Sequence, residues 1–592
     1  MTGQWWGEDP RRWSAGRWSL DLRGDELADI SVDGAPVLRS VRAVVRDRDW
    51  NTVALVVERV QEHDASLTLH VRSRGHGSSF VGTVRVHAAE STLTVACDLQ
   101  TTQPFETNRT GLVVLHPPTV AGTTLSVTQT DGSEQSTTFP RAISPHQPVL
   151  DIGALRWTHA GLAVEVVFSG DVFEMEDQRN WTDASFKTYS RPLALPFPVQ
   201  LAAGARITQA VRVTARRATP APAAEAAAPQ TDAVALITAG RFPEIAVGAA
   251  TGADPAPEPR ADDAVGSLPV LVELDLGWTG WPAALERAAR SGGRLDVRLL
   301  LPSASKAREA TVDALDRAVA ALAHHDVSRL GAFWLDGDAA QLADREATAL
   351  LRAALAHRGH HVAAATVIGG VRTHFTQLNR EHHRLDDTVD GLAFSLTPLF
   401  HSTGTAQLIE SLGIQRLVAS QAVVLAAGVP VHIGPVTLHP RVNDVATTPA
   451  SSPATSALTR GYGAALVAPD DARQRSAPMA AWTIASAAAL AVPGVASLAF
   501  FEEWGPRGIR DERGIPYPVA AAVRALSALS GQRLLYGGSR DGLLWVVGAV
   551  DDRGAATLLA ANLGDTDRTL TVLGARERTL AVPAQRWVRS VE

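Results

Sequence analysis

The densest run of reactive side chains lies between Gly170 and Tyr189, in the stretch GDVFEMEDQRNWTDASFKTY. Glu174, Glu176, Asp177 and Asp183 are carboxylates that could serve as general base or acid, or accept sugar hydroxyls. Arg179 and Lys187 could hold a carboxylate or a developing oxyanion. Asn180 adds amide hydrogen bonding, and Trp181 and Tyr189 add flat apolar faces against a sugar ring. The segment opens as a strand, with Phe173 and Met175 on one side and Glu174 and Glu176 on the other. A solvated loop needs no such variety. The same side chains could instead form a buried ionic network that docks one domain onto another.

Further candidates follow short apolar runs. Asp336 comes after Phe333-Trp334-Leu335, His401 after the run ending at Ser395, Arg441 and Asn443 after Ile433, and Glu502 after Leu498-Ala499-Phe500-Phe501, with Trp504 beside it. A carboxylate at a strand end suits a general base or nucleophile, and the bland alternative for each residue is a hydrogen-bonded loop position. Metal ligation is poorly supported. His324-His325 and His382-His383 are adjacent pairs, whereas a helix needs ligands at i and i+4. No Gly-x-Ser-x-Gly elbow marks a serine hydrolase. The single cysteine, Cys97, excludes an intramolecular disulfide, and its place in the alternating LTVACDL run makes it a core residue.

Three kinds of element must position these groups. Up to about residue 217 the pattern is strand-like, with alternating runs such as 67–71, 84–86 and 93–99, and an Asp33-Gly34 hairpin turn. An Ala/Pro-rich stretch, 218–230, reads as a linker. From about 232 to 530, apolar runs alternate with amphipathic helices. The candidate strands are 234–237, 270–274, 297–301, 332–335, 362–366, 391–395, 431–433 and 496–501. Val312, Leu315, Val319 and Leu322 recur at helical spacing, as do Leu350, Leu351, Ala354 and Leu355, with Gly359 as a helix stop. Eight β-then-α units predict a (β/α)8 barrel. From 531 to 592 short strands return. The expected architecture is therefore multidomain α+β: a β-sandwich over 1–217, a TIM-like barrel over 218–530 and a small β-domain over 531–592.

Bulk properties agree. A chain of 592 residues exceeds one hydrophobic core, and a net charge of -7 offers no basic patch for nucleic acid or an anionic membrane. The first nine residues lack the apolar run of a signal peptide, and no strongly apolar run of about 18 residues occurs, so a cytoplasmic protein is expected.

The 170–189 stretch, continuing through SRPLALP to Pro196, resembles the signature of the D-apionate lactonase family. Asn108–Pro117, Phe139–Pro145, Pro435–Asn443 and Asp471–Ser476 are similar in the same order. The likeness spans most of the first 530 residues. It implies hydrolysis of D-apionolactone to D-apionate on a sandwich, barrel and C-terminal β-domain. Departures lie at the expected barrel mouth, in Ser402-Thr403-Gly404 after His401 and in Glu503-Trp504-Gly505-Pro506 after Glu502. The mechanism expected is attack of water on a five-membered sugar lactone. Glu502 is the expected base, with Glu176 or Asp177 as the alternative, and Arg179, Lys187 or His401 stabilises the oxyanion. No cofactor is expected, and the partner is a small sugar lactone. A retaining glycoside hydrolase using Asp336 and Glu502 is the rival enzyme, and a non-catalytic sugar-binding protein the other alternative.

Overall fold

The computed structural model describes residues 10–218, 232–258, 268–302, 308–358, 362, 364–443, 445, 458–573 and 577–591. The first nine residues, in which no signal peptide is expected, most of the 218–230 linker and the Gly359 helix stop fall outside them.

Alternation along the N-terminal strands produces a β-sandwich. Eighteen strands, running from Arg11–Ala15 to Arg206–Arg217, form one antiparallel hydrogen-bonded network. Their inward residues, including Leu69, Val84, Val95, Leu112, Val166 and Val213, make one core. Cys97 lies in that core, and burial pushes its thiol up to about 11, which leaves it inert as a nucleophile. The strand Ala35–Asp47 pairs with Phe105–His116. Its odd-numbered Val41, Ala43 and Val45 face the core, whereas Arg42, Val44 and Arg46 fall on the opposite face.

The barrel closes through eight parallel strands: Glu244–Gly248, Val270–Asp275, Leu295–Leu301, Val327–Trp334, Thr366–His374, Gly391–Leu396, Val431–Val436 and Val495–Glu502. Each pairs with its neighbour, and the last with the first. Two expected strands are corrected. Residues 234–237 do not open the barrel: Asp232–Ala235 runs parallel to Arg568–Leu573, and Ile237–Arg241 pairs with Arg533–Gly538, both in the C-terminal unit. A short apolar run cannot declare its partner, and the following run, Glu244–Gly248, takes the barrel position. The fifth strand starts at Thr366, so Val362 precedes it.

The C-terminal strands form a five-stranded and a three-stranded sheet facing each other over a small core that includes Val234, Leu544, Val546 and Leu570. The outer face of the larger sheet, with Trp545, Val547 and Leu559, packs against the barrel. This explains the helix Ala477–Leu490, which is largely apolar and buried at nearly every position: it packs between the flanking helices Thr405–Leu425 and Pro518–Ser527, the barrel strand Val495–Glu502 and the C-terminal sheet. One helix, Thr405–Leu425, is long and apolar enough to cross a membrane by length and composition. It lies in the barrel's outer ring, with Leu408, Leu412, Val418 and Ala422 in the core.

Candidate active site

A cleft of about 1150 Å³ opens where the sandwich meets the C-terminal ends of the barrel strands. The sandwich supplies Arg42, Arg46, Trp50, Arg109, Glu176, Trp181, Lys187 and Tyr189. The barrel supplies Arg380, Phe400, His401, Gln407, His439 and Asn443. The segments after the 366–374, 391–396 and 431–436 strands therefore carry the barrel's share, at the end where such barrels place their chemistry.

The 170–189 segment reaches the barrel because it folds back on itself. Phe173–Glu176 and Phe186–Tyr189 pair antiparallel, and a single 3-10 turn, Gln178–Trp181, bridges them. Asp177 caps that turn by accepting from the Arg179 amide, and its two oxygens also hold the Arg179 guanidinium at 2.7 and 2.8 Å. Arg179 further donates to the carbonyls of Pro140 and Ala142. Asn180 donates to the Ser144 carbonyl at 2.5 Å, and its Oδ1 accepts from Asn379 on the barrel at 2.9 Å. Thr376 donates to the Asn180 carbonyl, and Gln421 brackets Ile143 through both its amide N–H and its carbonyl. Asp177, Arg179 and Asn180 thus form the docking network that the sequence left open as the alternative, and none of the three lines the cleft. Glu174 is also used internally: it accepts from the Tyr189 hydroxyl and from the Leu193 amide.

Two pairs face the cleft. His401 Nδ1 lies 2.7 Å from Asp183 Oδ2, and Gln407 donates to the other Asp183 oxygen at 3.0 Å. With the proton placed on Nδ1, Nε2 is left as a free lone pair, and it has no hydrogen-bond partner among the described residues. Burial holds the imidazole well below the ordinary histidine range, and the charges of Lys187 and Arg46 push the same way. The ring is therefore unprotonated at neutral pH. The second pair is Lys187 Nζ and Glu176 Oε2, 2.5 Å apart. Glu176 also accepts from Trp181 Nε1 at 3.0 Å, with Arg380 at 3.9 Å. Burial alone would raise its carboxyl, but Lys187, His401 and Arg380 together hold it well below the carboxylate range. Glu176 is thus a permanent anion and a weak base. Burial lowers Lys187, and the Glu176 charge opposes that.

Neither aromatic is a bare sugar platform. Trp181 stacks on Phe400 at 4.4 Å, and the Arg109 guanidinium covers the Tyr189 ring at 3.9 Å.

Several expected site residues stand elsewhere. Glu502 accepts from Thr251 Oγ1 at 2.8 Å and from Arg507 Nε at 3.1 Å, and lines a separate pocket of about 20 Å³. Asp336 is exposed in a bend beyond its strand and does not line the cleft. The two carboxyls of the rival glycosidase reading therefore share no cleft. Arg441 binds Glu273 at 2.6 Å, and Arg372 binds the same oxygen at 3.0 Å, so an ion triad fills this part of the barrel mouth. Trp504 is buried, with the Arg287 guanidinium 5.4 Å from its ring centre. Asn443 does line the cleft, and ties it shut at one side by donating to the Asp49 carbonyl at 2.9 Å. Sequence reasoning passed over Arg46, Arg380, Gln407 and His439. A signal for Arg46 existed: Arg42 and Arg46 share one face of an otherwise core-forming strand. Among the described residues no three of His, Cys, Asp and Glu gather as metal ligands.

Comparison with known proteins gives a consistent picture. Residues 3–218 match the model of the D-apionate lactonase N-terminal domain, and residues 251–531 that of the D-apionate lactonase TIM barrel domain. A curated D-apionate lactonase from Brucella anthropi is 29% identical over 566 residues, covering 88% of each chain. Among solved structures, SrfJ from Salmonella typhimurium is 12% identical with a TM-score of 0.40, covering 68% of this chain and 98% of that one. A GH30 endoxylanase from Clostridium papyrosolvens is 12% identical with a TM-score of 0.38, covering 61% and 98%. Likenesses at this level carry no argument about the reaction.

Proposed function

Because this chain belongs to the D-apionate lactonase family, we propose that the cleft between sandwich and barrel opens a five-membered sugar lactone, D-apionolactone or a close analogue, to its hydroxy acid. The observation that carries this reading is the His401–Asp183 pair: an unprotonated imidazole, oriented by a buried carboxyl and open to the cleft.

His401 Nε2 takes a proton from water as the oxygen attacks the lactone carbonyl carbon. The carbonyl oxygen gains the negative charge, and the Lys187 ammonium stabilises it. Collapse of the tetrahedral intermediate breaks the bond to the ring oxygen. The imidazolium returns its proton to that oxygen, so the products are a hydroxyl and a carboxylic acid, which ionises. Asp183 is the positioning residue for His401, and Glu176 the positioning residue for Lys187. A lactone is already activated, so these devices suffice: general acid–base catalysis contributes about 10²–10⁴-fold and an oxyanion donor about 10²–10³-fold. His401 thereby takes the role expected of Glu502.

The test is a pH-stat assay of aldonolactone hydrolysis. Wild type should consume base in proportion to lactone opened, above the spontaneous rate, and His401→Gln should lose most of that rate while keeping its melting temperature. A His401→Gln enzyme with wild-type turnover would remove the imidazole from the scheme. Release of nitrophenol from nitrophenyl glycosides would favour a glycosidase instead.

A further inference from the structure

Arg46 is a cation without a partner among the described residues. Its guanidinium makes no hydrogen bond or ion pair with any described residue, and its Nε is a buried donor with no acceptor. The other cations of the cleft are occupied. Arg42 holds Asp25 at 3.0 Å, Arg39 holds Glu410 at 2.6 Å, Lys187 holds Glu176, and Arg109 donates to the Arg191 carbonyl and covers Tyr189. The nearest carboxylates are committed as well, Glu176 to Lys187 and Asp183 to His401 and Gln407. Arg46 also stands directly across the strand pair from Arg109, an arrangement of like charges that destabilises a sheet unless something compensates. Burial, Arg109 and Arg42 together push its guanidinium down to about 10, only partly offset by Glu176 and Asp183. Arg46 is half-buried, with its Nε sealed from solvent, and it lies in the wall of a ligand-sized cleft.

We propose that Arg46 is the carboxylate-binding residue of this cleft, holding the acid end of the ring-opened aldonate. The inference rests on the lactonase reading, because that reaction turns a neutral ester into a carboxylate inside the cleft. A planar guanidinium fits a carboxylate through two parallel hydrogen bonds, which the neutral lactone cannot match. Arg46 therefore discriminates by charge, and favours product over substrate. The enzyme is consequently inhibited by its own aldonate, competitively with lactone.

The experiment titrates the full-length enzyme with D-apionate and with its uncharged alditol by calorimetry, and measures aldonate inhibition of lactone hydrolysis. Wild type should bind the aldonate and not the alditol. Arg46→Met should weaken aldonate binding and raise the inhibition constant at least tenfold, with a smaller change in KM for lactone, and Arg46→Lys should recover part of the affinity. Unchanged aldonate affinity in Arg46→Met, or a KM that rises in step with the inhibition constant, overturns the assignment. Should Arg46→Met fail to fold, the wild-type comparison of aldonate with alditol decides alone, and equal binding of the two overturns it. Lactone turnover without aldonate binding defeats the Arg46 site and leaves the lactonase reading standing; aldonate binding without turnover does the reverse.

Discussion

The reactivity of the cleft depends on how burial acts on individual side chains. Burial and the nearby charges of Lys187 and Arg46 keep His401 unprotonated. Its folded-state pKa is depressed, so kcat/KM should stay flat as pH falls through about 6.5, the ordinary histidine value, and decline only in more acid solution. Asp183→Asn removes the acceptor that fixes the imidazole tautomer, and should lower kcat by one or more orders of magnitude while altering this acid limb. A pH–rate profile separates that outcome from simple loss of fold. Lys187→Met removes both the proposed oxyanion donor and the partner of Glu176. It should cost about 10²–10³-fold in kcat, and also about 3–5 kcal/mol of stability, since it strands a buried carboxylate. Adding Glu176→Gln to Lys187→Met should recover much of the melting temperature and none of the turnover. If the double variant recovers activity as well, Lys187 is scaffold.

At the scale of elements, the site depends on how one turn is held. The Gln178–Trp181 turn is fastened to the helix Phe375–Glu381 through Asn180, Thr376 and Asn379, and Asn379 Nδ2 also serves the Ile143 carbonyl at 3.1 Å. Asn379→Ala leaves the Asn180 Oδ1 without its donor, at about 1–3 kcal/mol for a buried group left unsatisfied, while the Ile143 carbonyl keeps its bond from Gln421. The expected result is a lowered melting temperature together with a raised KM, because Glu176 and Lys187 flank the loosened turn. A thermal melt and a substrate titration on the same preparation check it. A drop in melting temperature with KM unchanged would mean that docking and substrate binding are independent. The opposite rim is braced by the Asp471–His439 contact at 2.9 Å and by Arg473, which holds Asp471 and donates to the Thr403 carbonyl two residues from His401.

Across the whole molecule, two buried carboxyls give stability opposite dependences on pH. Glu176 is held below the ordinary carboxylate range. Its contribution is fully present above the unfolded value of about 4.3 and is lost as pH falls toward the folded one. Glu176→Gln should therefore destabilise the protein at pH 7, by a margin that shrinks in strong acid. Glu503 is pushed up to about 7 by burial, only partly opposed by the charges of Arg510 and Arg287. Its folded state favours the proton, so its contribution is present below the unfolded value and lost as pH rises through about 7. Glu503→Gln should raise the melting temperature at pH 8 relative to wild type, with the advantage fading by pH 5. Melting curves of both variants at three pH values are sufficient, and parallel curves would refute the linkage.

The sequence by itself determined the elements and the reaction class. Alternation with period two gave the sandwich strands and the hairpin at Asp33-Gly34, helical periodicity marked 308–322 and 345–358, and the 170–189 signature carried the family. These are local properties, set by which face of each residue meets the core. What the tertiary structure decided is partnership. His401 and Asp183 are 218 residues apart in the chain and 2.7 Å apart in space. Asp177, Arg179 and Asn180 look as reactive in sequence as Glu176 and Lys187, yet the first three are spent on docking. The 234–237 run looks like a barrel strand and is claimed by the C-terminal sheet. A side chain's charge, and its freedom to act, depend on what buries it and what already binds it, and for this cleft both are set by segments distant in sequence.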